Sequence, residues 1–187
     1  MRIKTFCLPC LLVFLFLNPA TAGAHNQKPF YVDNPYFQGK LGLSVSETRT
    51  FFQKIKSAFE KNDQQWLASN TLYPLTIRRA GKVTVIANKR DFFNHYSIIV
   101  NVMIKKAVRC QSFYNLFINS NGIMIGGGAV WFSEFLVPRD GQRMNSPPSN
   151  LNNKEESSEI NDNQVWRFKI FAISDNVAVK KYATTCD

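Results

Sequence analysis

Histidine is nearly absent from this chain. Two occur in 187 residues, and only His95 stands among the segments that read as regular structure. A metal site needs several histidine, cysteine or carboxylate ligands at short spacing. None is seen, so no metal is expected. A Ser-His or Cys-His nucleophile would rest on His95 alone. No Gly-Lys-Ser or Gly-Lys-Thr follows the glycines at 126–128, and a triphosphate loop needs that sequence. No dinucleotide fingerprint is present either, so no cofactor is expected. No apolar run reaches the roughly 20 residues that span a bilayer. No Asn-x-Ser/Thr sequon occurs despite abundant asparagine, which favours a bacterial envelope over a eukaryotic secretory route.

The amino terminus has the pattern of an export leader. Arg2 and Lys4 precede an apolar stretch from Phe6 to Leu17, and small residues follow up to Ala22 and Ala24. Either alanine fits the residue before a cleavage site. Residues 1–24 are therefore expected to be a signal peptide, with the mature chain periplasmic or secreted and without a transmembrane segment. Cys7 and Cys10 leave with it. The remaining pair, Cys110 and Cys186, is expected to form a disulfide in an oxidising compartment. Losing Arg2 and Lys4 leaves 21 basic against 13 acidic residues, net +8. Such a surface attracts anions. Outside the cytosol that means an anionic envelope component or an acidic protein rather than nucleic acid.

Residues 25–43 mix aromatics with Pro and Gly without a period and read as an arm lying on the domain. The domain itself is expected at 44–187. Ser44 and Glu47 have capping-box spacing, and Phe51, Phe52, Ile55, Ala58 and Phe59 recur at helical intervals. A helix over 45–61 follows. Asp63 caps a second, with Trp66 and Leu67, that Tyr73–Pro74 stops. "LTIRRAGKVTVIA" reads as strand, glycine turn, strand. Asn88 caps a long helix to about residue 110, on the stripe Phe92, Tyr96, Ile99, Val100, Met103 and Ala107. "FYNLFIN" and "IMIGGGAVWFSEFLV" read as strands joined at Asn121–Gly122. Residues 139–163 hold no aromatic and many polar groups, and read as a disordered loop between strands. "QVWRFKIFAIS" closes the fold. Strict alternation places Trp166, Phe168, Ile170 and Ala172 on one face, and Val165, Phe171 and Ile173 on the other.

A phosphate loop needs its glycines between a strand and a helix start. Here "GGG" leads into Ala129, Val130, Trp131 and Phe132, which continue as strand. A bend in that strand is the expected role. This order, carried by "TLYPLTIRRAGKVTVIANKRDFFNHYSIIV" and "LFINSNGIMIGGGAVWF", resembles the NTF2-like (SnoaL-like) superfamily. "NGIMIGGGAVWF" is similar to its G-x-G-x-x-W-F strand. The resemblance implies an α+β cone. Two amino-terminal helices and a curved antiparallel sheet would wrap a long helix and leave a cavity at the open end. It also implies that a second copy can cover the outer sheet face.

Enzymes of that shape use a carboxylate base with a tyrosine. Tyr73, Asp91, His95, Tyr96 and Glu134 are the raw material here, but no catalytic set can be assigned. Trp66, Tyr73, Phe93, Tyr96, Trp131 and Glu134 are the candidate lining of a ligand cavity. The expected function is a non-catalytic exported domain that binds a protein partner or a small apolar ligand. The alternatives are an isomerase or dehydratase-type enzyme, and a basic inhibitor or immunity-type protein for an acidic envelope target. Arg78, Arg79 and Lys82 crown the first hairpin, Lys105, Lys106 and Arg109 form a second basic group, and each alone reads equally as a solvated face.

Overall fold

The computed structural model describes residues 43–79, 81–139 and 163–185. The leader, most of the arm, the interior of the 139–163 loop and Cys186 lie outside them. Among the described residues the fold is α+β, with six α-helices and one curved, six-stranded mixed sheet.

Helix α1 spans Val45–Lys61. The Ser44 hydroxyl accepts the Glu47 N–H at 3.3 Å, and Asn62 ends the helix in the left-handed region at φ 57°. Phe51, Phe52, Ile55, Ala58 and Phe59 are its buried face. Each buried phenylalanine stabilises by about 2 kcal/mol relative to exposure. Asp63 caps α2, Gln64–Ser69, by accepting the Trp66 N–H. That helix ends before Tyr73–Pro74, which lies inside strand β1, Thr71–Arg79. Strand β2, Lys82–Ile86, returns antiparallel to it.

The long helix expected after Asn88 is three short ones: α3 (Lys89–Asn94), α4 (Tyr96–Ile99) and α5 (Val102–Cys110). Asn101 explains the second break. Its side-chain oxygen accepts the Ile104 N–H and starts α5, while its amide donates to Asp175 at 2.9 Å. Arg79 pairs with the same carboxylate oxygen at 3.1 Å. One apolar stripe survives both breaks, burying Phe92, Ile99, Val100, Ile104 and Ala107.

"FYNLFIN" is mostly not strand. Residues Phe113–Asn115 form a 3-10 turn, and β3 covers only Phe117–Asn119. Strands β4, Gly122–Ile125, and β5, Val130–Pro138, do not form one bent strand. They pair antiparallel, Ile123 with Phe132 and Ile125 with Val130, so the three glycines reverse the chain. Gly126 has φ 62°, and a Cβ there would stand 2.9 Å from the Ala107 backbone. Its N–H donates to Gln111 Oε1 at 2.9 Å, inside the fold. No helix follows, so the glycine role is mechanical.

Strand β6, Gln164–Ser174, lies between β1 and β5 in the order β2-β1-β6-β5-β4-β3. It runs antiparallel to β5 but parallel to β1, so the sheet is mixed rather than antiparallel. A bulge at Phe171 breaks the expected alternation. Phe132 faces Ile170, yet the next pair is Trp131 with Ala172. The extra residue re-aims the strand, so Ile170 and Ile173 both enter the core while Ala172 sits beside Trp131 on the other face. Helix α6, Val177–Thr184, then packs on α5 and the glycine turn.

Candidate functional site

The hairpin of β5 and β6 outreaches its neighbours. Its pairing continues from Phe132–Ile170 out to Pro138–Gln164. Strand β4 reaches β5 only as far as Phe132, and β1 meets β6 only from Ile170 onward. The outer half of the hairpin is thus a two-stranded ribbon, and the amino-terminal half of α1 stands over it. The space between them is a groove of about 340 Å³.

Its floor is aromatic. Phe51 stacks on Phe168 at 5.3 Å between ring centres, and Trp166 lies two residues along the same strand face. The rim carries both signs of charge, with Glu47 and Lys54 from α1, Glu134 from β5 and Arg167 from β6. Ser46, Thr50 and Asn70 add hydroxyl and amide groups. The residue next to Asn70 is crowded by cations. Lys169 donates to the Ser69 carbonyl at 2.9 Å and Lys89 to the Ser69 hydroxyl at 3.4 Å. Burial, then Lys89 and Arg167, push the Lys169 ammonium below its usual pKa.

The six residues proposed to line a cavity are dispersed. Only Glu134 lines the groove. Trp66 packs on Phe51 at 5.5 Å, adjoining the floor from beneath. Tyr73, Phe93 and Tyr96 gather around Phe92 instead, with ring centres 6.1 to 6.5 Å from it. The Tyr73 hydroxyl donates to the Ala68 carbonyl at 2.9 Å, and burial raises its pKa. The Tyr96 phenol is raised too, first by burial and then by Asp63, and its buried oxygen has no hydrogen-bond partner among the described residues. Trp131 lies across the sheet from the helices, in an aromatic ladder with Phe117 and Phe171. Phe117 is 43% exposed, so this outer face presents apolar surface. Of the groove's main residues, Phe51 and Phe168 carry no motif and read from the sequence as ordinary core, whereas Trp166 is one of the aromatics the sequence offers for a cavity lining.

The Asp91–His95 pair forms as its spacing suggests, with Nδ1 and Oδ1 3.0 Å apart. Asp91 also accepts the Ala87 N–H at 2.9 Å. The pair braces the start of α3 and lies outside the groove. Arg79 of the first basic group is held by Asp175. Among the described residues no cluster of three metal-ligating side chains occurs, and no helix is long and apolar enough to cross a membrane. No family model, curated protein or solved structure matches this chain.

Proposed function

We propose that this chain is an exported, non-catalytic binding domain of the NTF2-like kind. In this reading the α1–hairpin groove takes a small ligand, or a segment of a partner protein, with an apolar body and polar edges. The observation that carries it is the groove itself, an aromatic floor bounded by Glu47, Lys54, Glu134 and Arg167. Such a floor supplies affinity through burial, and a mixed rim supplies orientation. The element order of two helices, a hairpin, helices and then four further strands supports the NTF2-like reading, and the amino-terminal residue pattern supports export. An isomerase-type enzyme needs a carboxylate and a tyrosine facing one space. The groove has Glu47 and Glu134 but none of Tyr73, Tyr96, Asp91 and His95.

Native mass spectrometry of the mature protein, purified gently from its own host, tests this reading. A retained adduct is expected, and it should vanish in Trp166→Ala and Phe168→Ala while the fold persists by circular dichroism. An adduct that survives both substitutions would place the ligand elsewhere. Turnover abolished by Glu134→Gln would make the chain an enzyme.

A further inference from the structure

A second groove lies between the last turns of α1 and helix α5. It encloses about 280 Å³ and is lined by Lys56, Glu60, Val102, Lys105, Lys106 and Arg109. Four cations therefore face one carboxylate. Lys56, Lys105 and Arg109 make no ion pair among the described residues.

Two of these cations are held in place by neutral partners. Lys56 Nζ donates to the Gln111 carbonyl at 2.8 Å, and Lys105 Nζ donates to Asn62 Oδ1. Each ammonium has three donors, so each keeps hydrogens for a ligand. The two contacts also fix the helices antiparallel, with Asn62 beside Lys105 and Lys56 beside Gln111. The negative end of α1 then lies next to the positive start of α5, and the two dipoles, about half a charge each, largely cancel. Side chains set the field, and their sum is strongly positive. Burial lowers the Lys56 pKa while Glu60 raises it, as expected of an ammonium kept from water without a full counter-charge.

We infer that the α1–α5 groove is a phosphate-binding site, with Lys56, Lys105 and Arg109 as its donors. Phosphate fits better than a carboxylate. It brings up to two charges and several acceptor oxygens to a groove lined by three such cations, and the Arg109 fork can engage two of those oxygens. This site lies on the far half of α1 from the aromatic groove and does not depend on that groove's ligand.

The test is titration of the full mature protein with inorganic phosphate, followed by amide NMR shifts along 56–60 and 105–109. Saturable shifts are expected there. Lys105→Gln with Arg109→Gln should weaken Kd by about tenfold or more, as loss of charge-assisted bonds requires. Glu60→Gln removes the opposing charge and should tighten it severalfold, so the idea stays testable if the double variant misfolds. Sedimentation with phosphatidylcholine vesicles, with and without phosphatidylglycerol, identifies the source. Phosphate binding without vesicle binding assigns a soluble phosphorylated ligand, and both together assign a lipid headgroup. No phosphate binding, vesicle binding alone, or a Kd indifferent to all three substitutions overturns the site.

Discussion

The Gln111 side chain uses both ends of its amide. Oε1 accepts from the Gly126 N–H at 2.9 Å and from the Tyr182 hydroxyl at 3.1 Å. Nε2 donates to the Ser112 and Asn115 carbonyls at 3.0 and 2.8 Å. One 3% exposed residue thus joins the end of α5 to the glycine turn, the 3-10 turn and α6. Gln111→Leu has a similar volume but strands a buried N–H and two carbonyls. It should cost about 3 kcal/mol or more, read by urea denaturation. The two half-buried tyrosines near Phe92 should respond oppositely to loss of the hydroxyl. Tyr73→Phe deletes a made hydrogen bond and should lose about 1 kcal/mol. Tyr96→Phe deletes a buried oxygen with no partner among the described residues, so stability should hold or rise by up to about 1 kcal/mol. Equal losses in thermal melts of the two variants would show that the Tyr96 oxygen is satisfied after all.

At the scale of elements, the sequence was readable wherever a signal is local. Ser44, Asp63 and Asn88 each accept the N–H three residues on, and the helices begin where those caps place them. The breaks within 89–110 were hidden because the apolar stripe keeps its period through them. The second is tied to Asp175, 74 residues from Asn101. The glycine reversal was hidden for a related reason. A bend and a turn look alike until the strand's partner is known. Position also decides what each glycine is worth. Gly126 and Gly81 both have positive φ, at 62° and 77°. A Cβ at Gly81 meets nothing within 4 Å, so Gly81→Ala should cost only the left-handed strain, about 1 kcal/mol. Gly126→Ala adds a clash with backbone of α5 and should cost at least twice that. Chemical denaturation of the pair separates strain from contact, and equal costs would mean α5 shifts freely.

For the whole molecule, fold class was readable and the sites were only partly so. Composition and element order point to α+β. Groove walls, in contrast, are built from residues far apart in the chain, such as Thr50 with Glu134, and no spacing rule relates them. The outer-face ladder of Trp131 and Phe171 was anticipated only in outline, because the bulge that positions Phe171 depends on β5. The expected Cys110–Cys186 bond involves a residue outside the described ones, but α6 packs along α5 and ends at Thr184. If it forms, it should add about 4 kcal/mol by restricting the unfolded chain. Reductant should then lower the melting temperature of the wild type and leave Cys110→Ser unaffected. Identical melts with and without reductant would exclude it.

The position of β6 governs the order in which this protein can be made. Before residue 164 is synthesised, the β1–β2 ribbon and the β3–β4–β5 ribbon have no strand between them, because β6 alone hydrogen-bonds to both. A chain without β6 therefore carries two half-sheets with no strand to join them. The six-stranded sheet is complete only when β6 hydrogen-bonds to both ribbons at once.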